Sequence, residues 1–405
     1  MTVDAPSASS PRIAILVSDL SKQGAGRWGG AVRTFLLAQA LERLGARVTI
    51  YGFMFGDEPG EPTVGNFPMV TVPGAYYPGF IGRSRELLRQ LDTDIIYALR
   101  PKATTLGLAL WHKRRRGCPI ILDIDDWELS WHGGDRFRYR PSVKQLARDI
   151  LKPEGALRYP DHPLYLRWME SLVSKADAVT VHTQFLQDRF GGVNVPNGKD
   201  TDLFNPEGYD AQLSREVHGF SAYRILMFPG APRPYKGIED VLKALDLLNR
   251  DELRLVIVGG SPYDDYDQDL RRRWGRWMIQ LPPQPVTKMP FVVAGADIIV
   301  VPQRETPAAL AQFPLKLTDG MSMAKPILAT RVGDIPEILQ GSGYLVEPEA
   351  PEAIAQQIDW ILDHPEEAKQ RGALARQRCV AHYSLEAMSY RLAQVIQSLP
   401  DSPHG

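Results

Sequence analysis

Short, continuous apolar runs alternate along this chain with segments of helical spacing, and that alternation constrains its fold more than any other feature. In the first half RIAILVSDL (12–20), RVTIYGF (47–53), IIYAL (95–99), IILDI (120–124) and ADAVTVHT (176–183) read as strands. Strands apolar at nearly every position are covered on both faces, as in parallel sheets flanked by helices. Val32, Phe35, Leu36 and Ala40 supply helical spacing after the first strand, and 184–190 reads as a helix after the fifth. The second half repeats the rhythm with RILMF (224–228), LRLVIVGG (253–260), ADIIVVPQ (296–303) and PILAT (326–330). Helices are expected on 238–249, 265–278, 315–324 and 352–364, and an amphipathic one on 385–399. Such alternation predicts an α/β fold with doubly wound parallel sheets. With 405 residues it suits two domains. The Asn-, Asp-, Pro- and Gly-rich segment NVPNGKDTDLFNPEGYD (194–210) marks their junction.

Composition excludes several classes. A net charge of −1 gives no global field for nucleic acid. Two cysteines, Cys118 and Cys379, give no disulfide framework and no metal spacing, which suits a reducing compartment. No apolar run reaches the ~18–20 residues of a membrane span. The N-terminal MTVDAPSASSPR lacks the apolar core of a signal peptide and, like PDSPHG at the other end, reads as a frayed tail.

In open parallel sheets ligands sit beyond the carboxyl ends of the strands, so the loops there carry the function. FPGAPRPYKGIEDVLKAL (228–245) leaves a strand, passes Gly230, Arg233 and Lys236, and delivers Gly237 to a helix start. Ile238, Val241, Leu242 and Leu245 form that helix's buried face. Two cations and a helix N-terminus suit a diphosphate cradle as well as an ordinary solvated loop. SKQGAGRWGGAVR (21–33) brings Gly29 and Gly30 to another helix start, without the GxGxxG spacing of a dinucleotide site. LDIDDWELSWH (122–132) ends a buried strand on Asp123, Asp125 and Asp126, with Glu128 and His132 nearby. Charges there are costly unless solvated, paired or used. Asp123-x-Asp125 is also the pattern of a metal-binding DxD, which the two-domain rhythm does not suit. In VVPQRETPAALAQFPLKLTDGMSMAKPILAT (300–330), Lys316 and Asp319 sit at i, i+3 on a short buried helix, where the plain reading is a surface ion pair. Gly259-Gly260 in VGGSPYDDYD (258–267) suits either close backbone approach or a tight turn. Segment 131–168 mixes Arg and Lys with Trp, Phe and Tyr. It fits an acceptor lid, a surface lying on an anionic membrane, or an insertion packed on the first domain.

Together these loops resemble the GT-B glycosyltransferases, specifically the retaining family 4, over about residues 11–395. FPGAPRPYKGIEDVLKAL is similar to that family's diphosphate loop, VPNGKDTDLFNP to its interdomain segment, FPLKLTDGMSMAKPILAT with GDIPEIL to its ribose-binding helix and following glycine loop, and DIDDWE to its acceptor-side loop. Two departures stand out. The family's arginine falls five residues before the lysine, at Ala231 here, and Arg233 is expected to substitute. Its paired acids are eight apart, but Asp319 has Ala311 at that distance. Glu305, in PQRE after the strand, is then the candidate first acid.

The resemblance implies two Rossmann-like domains facing a central cleft, 1–205 on the acceptor side and 206–383 for the nucleotide sugar, with 384–405 crossing back to the first. It implies sugar transfer from a nucleotide diphosphate to an acceptor hydroxyl with retention. Lys236 and Arg233 would stabilise the leaving diphosphate, Asp319 would hold the ribose, and Glu305 would touch the sugar or diphosphate. Gly29, Gly30, Gly230, Gly237 and Lys316, with backbone amides around Phe313, Pro314 and Leu315, complete the donor set. Asp126, with Asp125, Trp127 and Arg100, would serve the acceptor. The base would be read by backbone near QLPPQP (280–285), with hinges at 194–206 and 380–385. No cofactor and no metal is expected. The expected partners are a nucleotide sugar and a glycan, glycolipid or small-molecule acceptor. The expected setting is cytoplasmic, with peripheral contact at the inner membrane face. Same-fold alternatives are an epimerase or hydrolase of nucleotide sugars and a binding-only scaffold. A nicotinamide oxidoreductase is disfavoured by the missing fingerprint.

Overall fold

A computed structural model describes residues 10–22, 30–58, 66–261 and 264–400. The chain divides into two compact units. The first takes residues up to His182, Leu186–Val195 and the chain from Ser389 onward; the second takes Thr183–Phe185 and Pro196–Met388.

The first unit holds seven parallel strands: β1 (Arg12–Val17), β2 (Arg47–Met54), β3 (Met69–Pro73), β4 (Ile95–Leu99), β5 (Ile120–Ile124), β6 (Ala178–Val181) and β7 (Val193–Asn194). Their spatial order is β3-β2-β1-β4-β5-β6-β7. In the C-terminal helix Leu385–Gln397, Ser389 Oγ donates to Ala40 O (3.0 Å) and Arg391 Nη1 to Asn194 O (3.1 Å). The second unit holds six parallel strands: β8 (Arg224–Phe228), β9 (Leu253–Val258), β10 (Met278–Leu281), β11 (Ile298–Val301), β12 (Ile327–Thr330) and β13 (Tyr344–Val346). Their order is β10-β9-β8-β11-β12-β13. In both sheets the winding reverses between the first strand and the fourth, a doubly wound pattern that opens a crevice at the carboxyl ends of those two strands.

The continuous apolar runs have a direct physical meaning in the second unit. Ile225, Met227, Val256, Val258, Ile299 and Val301 pack on one face, while Leu226, Phe228, Leu255, Ile257, Ile298 and Val300 pack on the other. Helix Ile238–Leu248 covers the second face through Ile238, Val241, Leu242 and Leu245; helix Leu315–Ser322 covers the first through Leu317 and Met321. Both helices start at the carboxyl end of the central strands, from opposite sides of the sheet.

Several elements differ from the sequence reading. Residues 265–278 were expected as one helix. The helix stops at Trp274, a 3-10 turn covers Gly275–Trp277, and β10 follows. Asp246 draws both indoles inward, accepting from Trp274 Nε1 (2.6 Å) and Trp277 Nε1 (2.8 Å). Gln280, expected in a backbone base-reading loop, belongs to that strand, and its amide donates to Gly259 O (3.0 Å) and Asp267 Oδ2 (2.9 Å). The two segments expected as hinges pair with each other, Lys199 N to Tyr383 O (2.7 Å) and Leu385 N to Lys199 O (3.0 Å).

Gly237 joins the two halves of the second crevice. Its φ is +69°, and a Cβ there would lie 1.8 Å from Pro302 O on the loop leaving β11. Only glycine lets the β8 and β11 loops touch. Gly237→Ala is expected to lower the second unit's stability by about 3 kcal/mol or more in urea unfolding. A wild-type midpoint would show that the two loops are not held in this apposition.

Candidate active site

The crevice of the second unit gathers positive charge that its carboxylates do not neutralise. Lys236 ends the turn Pro234–Lys236 and donates from Nζ to Ala231 O (2.9 Å). Lys316, in the first turn of its helix, is buried with Nζ 5.0 Å from the centre of the Phe228 ring. Among the described residues neither ammonium has a carboxylate within ion-pair distance. Burial lowers the Lys236 pKa well below its ordinary value, and the charges of Lys316 and Arg233 lower it further. Burial also brings Lys316 down to about 8, against the pull of Asp319. Arg233 is held by Ser261 Oγ (3.2 Å) and the half-exposed Asp264 Oδ2 (3.2 Å). Desolvated amines beside like charges either lose a proton, as these lowered pKa values express, or gain from a nearby anion.

The rest of the loop is arranged around other needs. Helix Ile238–Leu248 begins with Glu239 and Asp240, so its N-terminus already faces carboxylates. Asp240 accepts two bonds from Arg304, from Nε (2.8 Å) and Nη2 (2.7 Å). The helix start expected to help Lys236 and Arg233 hold an anion thus carries two acids in its first turn. The backbone at 313–315 needs a correction. Pro314 has no N–H, the Leu315 N–H donates to Phe313 O (3.0 Å), and the Phe313 ring lies in the core beside Tyr383. Asp319 is buried and forms an ion pair with Lys199, whose ammonium also sits 4.1 Å from the Phe204 ring centre. The surface pair with Lys316 is therefore replaced by a buried one with Lys199. Glu305 is exposed on the loop after β11 and enters no hydrogen bond or ion pair among the described residues.

In the first unit the crevice between β1 and β4 is lined by an ionic cluster. Arg100 follows β4 with φ +66°, a left-handed conformation that costs a non-glycine residue on the order of 1 kcal/mol. It is held there by Arg100 N to Asp123 O (2.7 Å) and Thr105 Oγ1 to Arg100 O (2.6 Å). Its guanidinium donates to Asp125 Oδ1 (2.6 Å) and Oδ2 (3.3 Å) and to Glu128. Lys102 bridges Glu128 (3.2 Å) and Asp161 (3.3 Å), and Ser18 Oγ also donates to Asp161 Oδ2 (3.3 Å). Burial opposes the charge of Asp125, but Arg100 outweighs it and keeps that carboxyl below its ordinary value. Asp126 behaves oppositely. Burial raises it to about 6, helped by Glu128 and Asp125 and opposed by Arg100. Trp131 Nε1 donates to its Oδ2 (3.1 Å), while Oδ1, like Asp161 Oδ1, is buried without a partner.

Two nearby residues are buried in structural contacts. Asp123, the first acid of the DxD pattern, accepts from Arg33 Nε (3.0 Å), Arg33 Nη2 (2.7 Å) and Thr180 Oγ1 (2.6 Å), and so is committed to a fully buried ion pair. Trp127, expected to face an acceptor, is buried under Arg189, whose guanidinium lies 3.8 Å from its ring centre, and against Gly134, where a Cβ would lie 2.7 Å from the ring. Gly30 opens helix Gly30–Arg43, whereas Gly29 falls outside the described residues.

Residues 28–206 match the Glycosyltransferase Family 4 domain and residues 223–364 match the Glycosyl transferases group 1 domain. The chain belongs to the family 4 glycosyltransferases. It is 24% identical to a GDP-mannose-dependent monoacylated alpha-(1-6)-phosphatidylinositol monomannoside mannosyltransferase of Corynebacterium glutamicum, over 78% of this chain and 79% of the relative. It is 24% identical to the MMP alpha-(1->4)-mannosyltransferase of Mycolicibacterium hassiacum, over 62% and 63%. In fold it is similar to HepE of Anabaena, solved with UDP and glucose (TM-score 0.72, 16% identity, 96% of this chain and 100% of that one). It is also similar to a sucrose-phosphate synthase of Thermosynechococcus elongatus (TM-score 0.68, 18% identity, 96% and 98%). The glycosyltransferase thus has the GT-B fold, and it is a hexosyltransferase that uses nucleotide sugars.

Of the residues singled out in the sequence of this glycosyltransferase, Gly230, Arg233, Lys236, Gly237 and Lys316 gather at one crevice, and Arg100, Asp125 and Asp126 at the other. Lys102, Asp161, Ser18 and Lys199 were missed, because sequence separations such as the 120 residues between Lys199 and Asp319 leave no spacing signal. A raised carboxyl pKa means that the folded state holds a proton the unfolded chain has lost. Stability from Asp126 is therefore present below about pH 4 and lost as pH rises through about 6. Asp126→Asn should stabilise the protein above pH 6 by on the order of 1–3 kcal/mol and have little effect at pH 4, measured by urea unfolding. Equal effects at both pH values would place the Asp126 pKa at its ordinary position.

Proposed function

We propose that this glycosyltransferase moves a hexosyl group, with retention at the anomeric carbon, from a nucleoside diphosphate sugar to a hydroxyl of a glycan, glycolipid or small-molecule acceptor. The observation that carries this reading is the pair of amines, half-buried Lys236 and buried Lys316, beside Arg233 where the sheet reverses. A diphosphate there would neutralise them. As the glycosidic bond breaks, negative charge grows on the leaving diphosphate while the sugar becomes oxocarbenium-like, and fixed cations lower that barrier. They supply the charge that a divalent metal provides elsewhere, so no metal or cofactor is required.

Asp319, steadied by Lys199, would accept ribose hydroxyls, and the unpaired Glu305 would contact the sugar or diphosphate. The buried open oxygens Asp126 Oδ1 and Asp161 Oδ1 suit acceptor hydroxyls, which are donors in need of acceptors. In front-face transfer the leaving phosphate oxygen takes the acceptor proton, and Asp126 above pH 6 can assist. GDP-mannose is the first donor to test, because the Corynebacterium relative is named for it. Two buried free cysteines among the described residues suit a cytoplasmic setting, with peripheral contact at the inner membrane face. No helix among the described residues is long and apolar enough to cross a membrane.

A binding-only scaffold is the second reading, favoured by the Lys199–Asp319 pair and the exposed Glu305. One experiment separates the two. Thermal shifts with GDP-mannose, UDP-glucose and other nucleotide sugars should show a rise with one base family, lost in Lys236→Ala. With that donor, wild type should release nucleoside diphosphate in the presence of an acceptor mixture, and Lys236→Ala should be slower by about 10²–10³-fold. A shift without turnover would select the scaffold. No shift with any nucleotide would overturn the donor site.

A further inference from the structure

Helix Val143–Leu151 in the first unit has its polarity reversed. Val143 is 87% exposed, Ile150 51% and Leu151 76%, and Leu146 is exposed beside them. The side chain that faces inward is a carboxylate: Asp149 is buried and accepts from Tyr139 Oη (2.8 Å). A Cβ on Gly155 would come within 2.3 Å of Asp149 O, so the chain after the helix closes tightly on this anchor. Apolar side chains turned to water lose the gain they would have in a core, and a helix this short has little stability of its own.

The charge around this face is one-sided. Arg136, Arg138, Arg140, Lys144, Arg148 and Lys152 are all exposed, and the single acid between 136 and 152 is the buried Asp149. Trp131, exposed just before the stretch, adds an amphipathic ring of the kind that settles at a lipid interface. An apolar helix face with long cations around it is the pattern of an interfacial helix, in which the apolar side chains enter the acyl boundary and the cations meet anionic headgroups. The face of a protein partner would need a matching acidic rim; a bilayer with anionic lipid supplies both the apolar layer and the charge.

We propose that Val143–Leu151 is a membrane-docking helix that seats the protein on an anionic lipid surface through Val143, Leu146, Ile150 and Leu151, with Lys144, Arg148 and Lys152 on the headgroups. The proposal does not depend on the donor chemistry, because none of these residues belongs to either crevice.

Flotation of the full chain with vesicles of phosphatidylcholine alone, or with added phosphatidylglycerol, tests it. Wild type should float with the anionic vesicles, weaken as salt rises, and stay in solution with the neutral ones. Leu146→Ser/Ile150→Ser/Leu151→Ser should abolish flotation, and each of Lys144→Gln, Arg148→Gln and Lys152→Gln should weaken it about fivefold. Thermal stability should be unchanged in every variant, which separates loss of docking from loss of folding. Equal flotation of the triple variant, flotation on neutral vesicles alone, or no flotation of wild type would each overturn the proposal. So would self-association of wild type that the triple variant abolishes while vesicles remain unbound.

Discussion

Parallel strands whose crossovers run in opposite directions leave a gap beyond their carboxyl ends, and the chemistry of this chain depends on that gap. In the second unit it opens between β8 and β11. Gly237 closes its floor by letting one exit loop rest on the Pro302 carbonyl of the other. The helices that cover the two sheet faces then begin at the same edge, one carrying Lys236 just before it and the other Lys316 in its first turn. No local sequence could bring these ammoniums together; the topology does. Both amines are partly stripped of water and repel each other, so an anion placed between them would be attracted.

The first unit uses the same gap differently. Its cations are consumed: Arg100 and Lys102 are tied to Asp125, Glu128 and Asp161. What remains open is acceptor capacity, on Asp126 and Asp161. One crevice thus offers positive charge and the other offers acceptor oxygens. The same burial that lifts the Asp126 pKa lowers that of Lys316, since both groups pay for being charged out of water.

Much of the fold was legible because strands buried on both faces announce themselves as unbroken apolar runs: β4, β5 and β8 fall on IIYAL, IILDI and RILMF to the residue. The edges were not. β3 is covered only at Val72, and β13 is three residues long, so neither rises above a loop in sequence. β10 was hidden because Trp274 and Trp277 continue a helical spacing that ends at Gly275. At the site, loops with strong local chemistry were found and residues that act through distant partners were not. Lys102 reaches Asp161 across 59 positions, and Lys199 looks like any junction lysine until Asp319 is beside it. The apolar spacing of Val143–Leu151 would suggest a core-facing helix; only burial shows that it faces out.

Burial lowers the pKa values of Lys236 and Lys316, and under the proposed function a bound diphosphate would raise them again. Calorimetric titration of the nucleoside diphosphate at pH 8, repeated in buffers of different ionisation enthalpy, tests it most directly. A bound dianion raises both lysine pKa values, so binding should take up a substantial fraction of a proton from solution, near the Lys316 pKa of about 8. Uptake should shrink in Lys316→Met. Binding with no proton uptake, or with the same uptake in Lys316→Met, would contradict the account.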